Sequence, residues 1–483
     1  MTQRISLWQR TVDIPRQKPL DRDLRVDAAV IGAGMAGVLI ADRLRERGVQ
    51  TVVLEARHIG SGQTQNTTAK ITSQHGLIYH ALIERFGRER AQQYATANQQ
   101  AIRQYAELIQ QRGIDCDFRE APAYLYSGIN TAPLQQEAEA AASLGIEARL
   151  VGETELPFSV AGAVRFEAQA LFHPLKFLQA VSEPLTIYEN TPVLTVDKNE
   201  IRTENYTVHA DYVIFACHYP FINVPGWYFM RMHQERSYVL ALESHWLPES
   251  MYYGVDPQGL SLRAADGLLL LGGENHRTGE NSQGGRYEAL LQQAQSLLSG
   301  CREVARWSAQ DCMTLDGLPY IGPFSASAPN WYVATGFGKW GMTSSMVAAT
   351  LIADAITGHA PDWAEVFSPS RFQLSTSAKN LATDTAQAFK GLAREFLTLP
   401  PSALDDLPLG HGGIVEAEGH KAGVYKDMEG RCYVVNPRCP HLGCQLEWNP
   451  DEKSWDCPCH GSRFSYEGDL IDNPAQESLV KPS

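Results

Sequence analysis

The sequence predicts an α/β nucleotide-binding domain of Rossmann type at the front of the chain and a small all-β module at its end. Three observations predict this. "RVDAAVIGAGMAGVLIADRLRERGVQTVVLEA" reads as strand, glycine turn, helix, strand and acidic residue in unbroken order. The pattern breaks after Gly358. Near the end, "CPHLGC" and "SWDCPCHGSRF" gather six side chains of metal-ligand type.

In the front unit an apolar strand over 27–31 leads into Gly32-x-Gly34-x-x-Gly37. Gly32 permits the tight turn, Gly34 lets a pyrophosphate approach the backbone, and Gly37 lets helix and strand pack closely. The helix that follows puts Leu39, Ile40 and Leu44 on one side, turns Arg43, Arg45, Glu46 and Arg47 to solvent, and stops at Gly48. Its N-terminus favours phosphate charge. Glu55, closing "TVVLE", is placed to accept from a ribose 2′-hydroxyl. This unit is common to FAD and NAD sites. No second glycine fingerprint follows: "GGENHRTGENSQGG" lacks both the spacing and the helix. In a second region, "WYVA" reads as a strand, and a helix rich in small residues starts near Gly341 with free amide groups at its head.

The middle of the chain predicts a long helix, "ALIERFGRERAQQYATANQQAIRQYAELIQQRG", and strands such as "RSYVLALE" and "LLLLGG". Beyond Gly358 the chain reads as a helical linker over 361–403 that ends in Pro400-Pro401. A β module over 404–483 then shows short strands, "AGVYKD" and "CYVVN", between turns such as "DMEG" and "YEGD".

"TLDGLPYIG", "ATGFGKWGMT" and "GSGQTQNTTAKITSQHG" resemble, in order and spacing, the flavin-contacting segments of the D-amino-acid-oxidase/glycine-oxidase superfamily. The resemblance spans about 27–358. It implies FAD, and a fold in which an α+β substrate domain (81–154, 221–300) is inserted between FAD-binding pieces (24–80, 155–220, 301–360) of a unit spanning 24–360. Implied cofactor contacts are Gly32, Gly34, Gly37, Glu55, Thr67, Thr68, Ala69, Lys70, Gly338, Gly341, Met342 and Thr343. Candidate catalytic residues are Lys70 beside the flavin, His75 as a base, Arg236 as a clamp for a substrate carboxylate, and His276. Gln74 and Lys339 are further candidates, and Asp311 reads as a structural loop carboxylate. Some members of the superfamily attach flavin to a cysteine. Cys312 is offset from that pattern, so non-covalent FAD is expected.

The tail motifs allow two metal readings. Tetrahedral zinc needs four ligands of Cys and His type and leaves two of the six residues without a role. A Rieske [2Fe–2S] centre takes two Cys on one iron and two His on the other. "C-x-H-x-x-C … C-x-C-H-G-S" resembles the two Rieske boxes. By that resemblance Cys439 and Cys457 hold one iron, His441 and His460 hold the other, and Cys444 and Cys459 form a disulfide between the loops. Ser462 stands where these proteins place a hydroxyl donor to a cluster sulfur. Phe464 stands where some high-potential relatives carry Tyr, which implies a lower potential here than in relatives that keep both hydroxyls. A Rieske oxygenase also needs a mononuclear iron in a large following domain. About 20 residues follow His460 and none is histidine, so an electron-transfer module is expected.

Together these features imply an oxidoreductase. It oxidises a small amine or amino-acid-type substrate at FAD and passes electrons singly through the cluster to an external protein or quinone acceptor. Alternatives are a reductase with electrons entering through the cluster, and a non-enzymatic redox sensor. The net charge of −14 argues against nucleic acid as a partner. The N-terminus has neither an apolar run nor a cleavage pattern, and no stretch is apolar enough to cross a bilayer, so a cytoplasmic location is expected.

Overall fold

The computed structural model describes residues 4–371, 407–417 and 420–481. Most of the linker expected at 361–403 lies outside the described residues. The first sheet runs Tyr320–Ser325, Ala328–Thr335, Thr207–Phe215, Leu24–Ile31, Thr51–Leu54, Thr186–Tyr188. The last five of these pair in parallel, which suits the apolar runs of the inner strands, buried on both faces.

The glycine turn behaves as its spacing predicts. Gly32 has φ +104°, and a Cβ there would lie 2.8 Å from the Ala216 carbonyl oxygen. A Cβ on Gly37 would lie 1.9 Å from the Gly32 carbonyl oxygen, so only glycine lets helix Met35–Glu46 sit on the turn. Helix Gly341–Ile356 packs beside that helix, and Arg43 reaches the Met346 sulfur.

The second sheet runs Arg302–Thr314, Met232–Glu243, Leu268–Arg277, Ser261–Ala265, Met251–Gly254, Arg119–Ser127, Gly162–Leu171, Lys70–Ile71. It therefore takes strands from segments expected in the FAD-binding pieces: Lys70–Ile71, Gly162–Leu171 and Arg302–Thr314. The reason is pairing: Arg302–Thr314 runs antiparallel to Met232–Glu243 along nearly its whole length. The long helix is Tyr79–Arg112, broken at Gly87, whose φ is +81°.

The C-terminal module has a three-stranded sheet (Gly412–Ala417, His420–Lys426, Cys432–Val435) and a four-stranded one (Glu447–Asn449, Ser454–Asp456, Arg463–Ser465, Leu470–Asp472). Trp448 and Trp455 join them. A Cβ on Gly412 would meet the Trp448 ring at 2.5 Å, and one on Gly423 would meet Trp455 at 3.0 Å.

This module docks on the second sheet through the glycine-rich stretch that lacked a nucleotide pattern. A Cβ on Gly279 would strike Pro458, and one on Gly284 would strike Pro450, each at 2.6 Å. Asp451 accepts from the backbone N–H groups of Gly285 and Arg286 at 2.9 and 3.0 Å. It thus caps helix Arg286–Leu297, whose own N-cap residue is glycine and has no side chain for the task.

Candidate functional site

A cavity of about 450 Å³ opens at the C-terminal ends of the parallel strands. Gly32, Gly34, Met35 and Glu55 line one part, and Gly338, Gly341 and Met342 another. Glu55 accepts from Ala33 N at 2.7 Å and Arg57 N at 2.8 Å, and burial raises its pKa. Thr64 accepts from Met35 N at 2.9 Å at the helix head. Helix Gly341–Ile356 carries no side-chain cap, so its first N–H groups face the cavity without one.

The module's 470–476 segment forms another wall, with Leu470, Ile471, Asp472, Asn473, Ala475 and Gln476 lining it. Asn473 donates to the carbonyls of Cys217 and Tyr219 at 2.9 and 2.5 Å. Gln476 donates to those of Val193 and Leu194 at 3.0 and 3.1 Å. His218, unremarked in the sequence, also lines the cavity, and its Nε2 is buried with no hydrogen-bond partner. Its signal was position, just past the end of strand Thr207–Phe215.

A second cavity of about 90 Å³ adjoins the first. Thr67, Ala309, Asp311, Lys339 and Met342 line both. Thr68 and Lys70 line only the small one. The Lys70 amine donates to Tyr252 O at 2.8 Å and Ser261 Oγ at 2.6 Å, and burial, then Arg263, push its pKa down to about 7.

Several expected site residues sit elsewhere. Ala69 and Thr343 line neither cavity. The Ala69 carbonyl accepts from Arg263 at 2.6 Å, and Thr343 bonds both backbone groups of Thr72, so both brace the loop. His75 is buried behind Trp340, with Nδ1 on Tyr94 Oη and Nε2 on Thr72 O, each at 2.6 Å. Burial lowers its pKa to about 3, so it is a satisfied structural histidine rather than a base. His276 bonds Tyr238 Oη and Arg277 O and lines neither cavity. Gln74 is buried and away from both. Arg236, expected to clamp a substrate carboxylate, lines neither cavity: it pairs with Glu452 of the C-terminal module at 2.9 Å and bonds Ser308. Cys312 lies off the flavin-sized cavity; Cys217 lines it, with burial pushing its thiol up to about 12, which leaves a poor nucleophile.

At the other centre, Cys444 and Cys459 form a disulfide. The sulfurs of Cys444, Cys457 and Cys459 lie within 4.8 Å of one another, but the disulfide removes two of them as ligands. Cys439 and Cys457 remain, buried and hydrogen-bonded to each other, and that bond lowers the Cys439 pKa. The His441 and His460 rings meet edge-on with centroids 5.0 Å apart. Burial lowers their pKa values to about 4 and about 3, which keeps both imidazoles neutral. Each Nδ1 is buried without a partner. His441 Nε2 bonds Asn223 at 2.7 Å, and the His460 ring bonds the Phe229 backbone. Gln234 reaches the His460 carbonyl at 2.7 Å, and Gln310 reaches that of Gly461 at 2.7 Å. The histidine edge of the module therefore faces the strand pair that borders the large cavity.

Comparison with known proteins gives two family matches. Residues 27–355 match the FAD dependent oxidoreductase family, and residues 400–483 match the Rieske [2Fe-2S] domain. The chain belongs to the FAD-dependent oxidoreductases and carries a C-terminal Rieske domain. The protein of Bacillus subtilis (strain 168) named "Putative Rieske 2Fe-2S iron-sulfur protein YhfW" is 37% identical over 489 residues, covering 98% of this chain and 96% of that protein. The cytochrome b6-f complex iron-sulfur subunit of Microcystis aeruginosa is 47% identical over 48 residues, 10% of this chain and 27% of its own. Glycine oxidase from Geobacillus kaustophilus (TM-score 0.62, 19% identity) covers 72% of this chain and 100% of its own. L-Proline dehydrogenase from P. horikoshii (TM-score 0.62, 16% identity) covers 72% and 98%. These two share the fold.

FAD and a [2Fe–2S] cluster are the cofactors of this oxidoreductase. The residues fit both. The glycine cradle, the uncapped helix and His218 Nε2 suit a dinucleotide; two free Nδ1 atoms and a thiol pair suit a Rieske cluster. Bound there, FAD accepts electrons in pairs and the cluster carries them singly. Ser462 Oγ accepts from Ala475 N at 2.9 Å and also hydrogen-bonds Cys439, where its hydroxyl can serve a cluster sulfur. Among the described residues no helix is long and apolar enough to cross a membrane.

Proposed function

We propose that this oxidoreductase oxidises a small amine or amino-acid-type substrate at non-covalent FAD and passes the electrons singly through the cluster to an external protein or quinone acceptor. Cys439 and Cys457 hold one iron, and His441 and His460 the other. One observation carries the reading: the Rieske domain supplies a wall of the flavin cavity while turning its histidine edge to the same domain. Gln310 joins the two regions, lining the cavity and bonding both Gln234 and the Gly461 carbonyl. The small adjoining cavity suits a substrate of a few heavy atoms.

The test is anaerobic mixing with methylamine, glycine, N-methylglycine and L-proline, following flavin absorbance and the Rieske EPR signal in one sample. The expected result is a compound that bleaches the flavin and brings up the EPR signal of the reduced cluster. Bleaching that never reaches the cluster would overturn the wiring.

A further inference from the structure

Of the five residues common to both cavities, two carry ionisable side chains, Asp311 and Lys339. Asp311 stands on strand Arg302–Thr314, opposite Glu235 in the neighbouring strand. It is accessible where the cavities open, yet protein packs closely around it. Lys339 Nζ lies 3.6 Å from Glu235 Oε2, and His233 Nε2 lies 3.7 Å from Glu235 Oε1. Lys339, Glu235 and His233 thus lie beside Asp311, from the junction of the cavities to a side chain that is 20% exposed. With Asp311 ionised, Asp311 and Glu235 outweigh the single Lys339 charge, which complements an ammonium substrate; Arg236, which also acts on Asp311, is paired with Glu452.

We propose that Asp311 is the catalytic proton acceptor for the substrate ammonium group; this rests on the amine reading above. The substrate N–H bond breaks, its electron pair stays on nitrogen, and the proton goes to an Asp311 carboxylate oxygen. The C–H electron pair and its hydrogen leave as hydride to the flavin, and the nitrogen pair closes the C=N bond of the iminium product. The substrate loses two electrons and oxidised FAD gains them. The proton is then released from Asp311 to water in the cavity once the product has left.

The electrostatics agree with the placement. Burial raises the Asp311 pKa to about 7; Lys339 and Arg236 lower it, Glu235 raises it, and a hydrogen bond with Ser237 lowers it. A general base is most effective with a pKa near working pH. Lys70 lines the small cavity and also titrates near 7, so the test separates the two.

Infrared difference spectra of the resting holoenzyme follow the carbonyl stretch of a protonated carboxylic acid. That band should vanish as pH rises through about 7 and be absent in Asp311→Asn. Stopped-flow flavin reduction by the amine that bleaches wild type should rise about tenfold per pH unit below the inflection and level above it. Asp311→Asn should be slower by about 10²–10⁴-fold and lack the inflection. Lys70→Met should keep the inflection. A band unaffected by Asp311→Asn, or an inflection that survives it, overturns the proposal. An intact infrared titration with no amine bleaching the flavin at any pH instead overturns the substrate reading, and the acceptor role with it.

Discussion

Two pairs of histidines show what separates a structural imidazole from a ligand. His75 and His276 each have both ring nitrogens engaged by this chain's own hydroxyl and carbonyl groups. His441 and His460 each keep Nδ1 buried and unpaired, although their rings are held by Asn223 and Phe229. A buried polar atom without a partner costs about 1–3 kcal/mol. A metal bond would offset that cost, which is why these two atoms are the proposed cluster ligands while the satisfied pair reads as packing. His218 Nε2, unpaired on the flavin cavity wall, follows the same logic for an organic cofactor. The nitrogens of Trp448 and Trp455 are also unpaired, and nothing in the structure explains them.

The largest expected effect breaks or confirms this contrast directly. His460→Ala should abolish bound iron and acid-labile sulfide, measured by colorimetric analysis and EPR. His276→Ala should retain both. Iron loss in the second variant would show that satisfaction of the ring nitrogens does not sort the histidines.

A second test concerns Arg236, whose Nε is unpaired but whose charge is matched within the protein. Its side chain is 2% exposed and paired with Glu452 across the domain contact. Glu452→Ala leaves that charge buried and alone, at an expected cost of about 3–5 kcal/mol in thermal or denaturant unfolding. Burial alone would raise the Glu452 pKa, but Arg236, Arg463 and hydrogen bonds from Ser308 and Tyr287 outweigh it and hold it at about 2. A carboxylate pKa depressed on folding contributes stability above its unfolded value of about 4.3. That contribution falls away as pH drops from there through about 2, and Glu452→Ala should remove this part of the acid sensitivity.

The smallest effect sharpens the contrast on the cluster side. Phe464 is fully buried and has no polar atom to offer a sulfur. Phe464→Tyr should raise the cluster potential by about 20–60 mV, the one-electron equivalent of one hydrogen bond. Redox titration followed by EPR measures it, and an unchanged or lower potential would count against a new donor.

The sequence was most legible where chemistry is contiguous. Gly32 and Gly37 were readable because a positive φ and a 1.9 Å approach exclude every other residue, whatever lies further along the chain. The tail boxes were recognisable as a Rieske resemblance because their Cys and His residues lie a few residues apart in two short stretches. Arg236 and His276 were misread as site residues because charge and type say nothing about which partner is nearby. Arg236 meets Glu452 only when the two domains dock.

The chain alone therefore carried the glycine turn, the tail boxes and the order of the domains, and the family resemblance implied the two cofactors. Local backbone sterics and ligand spacing survive without any knowledge of long-range packing. Tertiary structure decided that 470–476 closes the flavin cavity, that the glycines at 279 and 284 seat the second domain, and that Asp311 stands between two cavities. Those placements depend on strand register and interdomain contact, where a one-residue slip would turn Asp311 to the other face of its sheet.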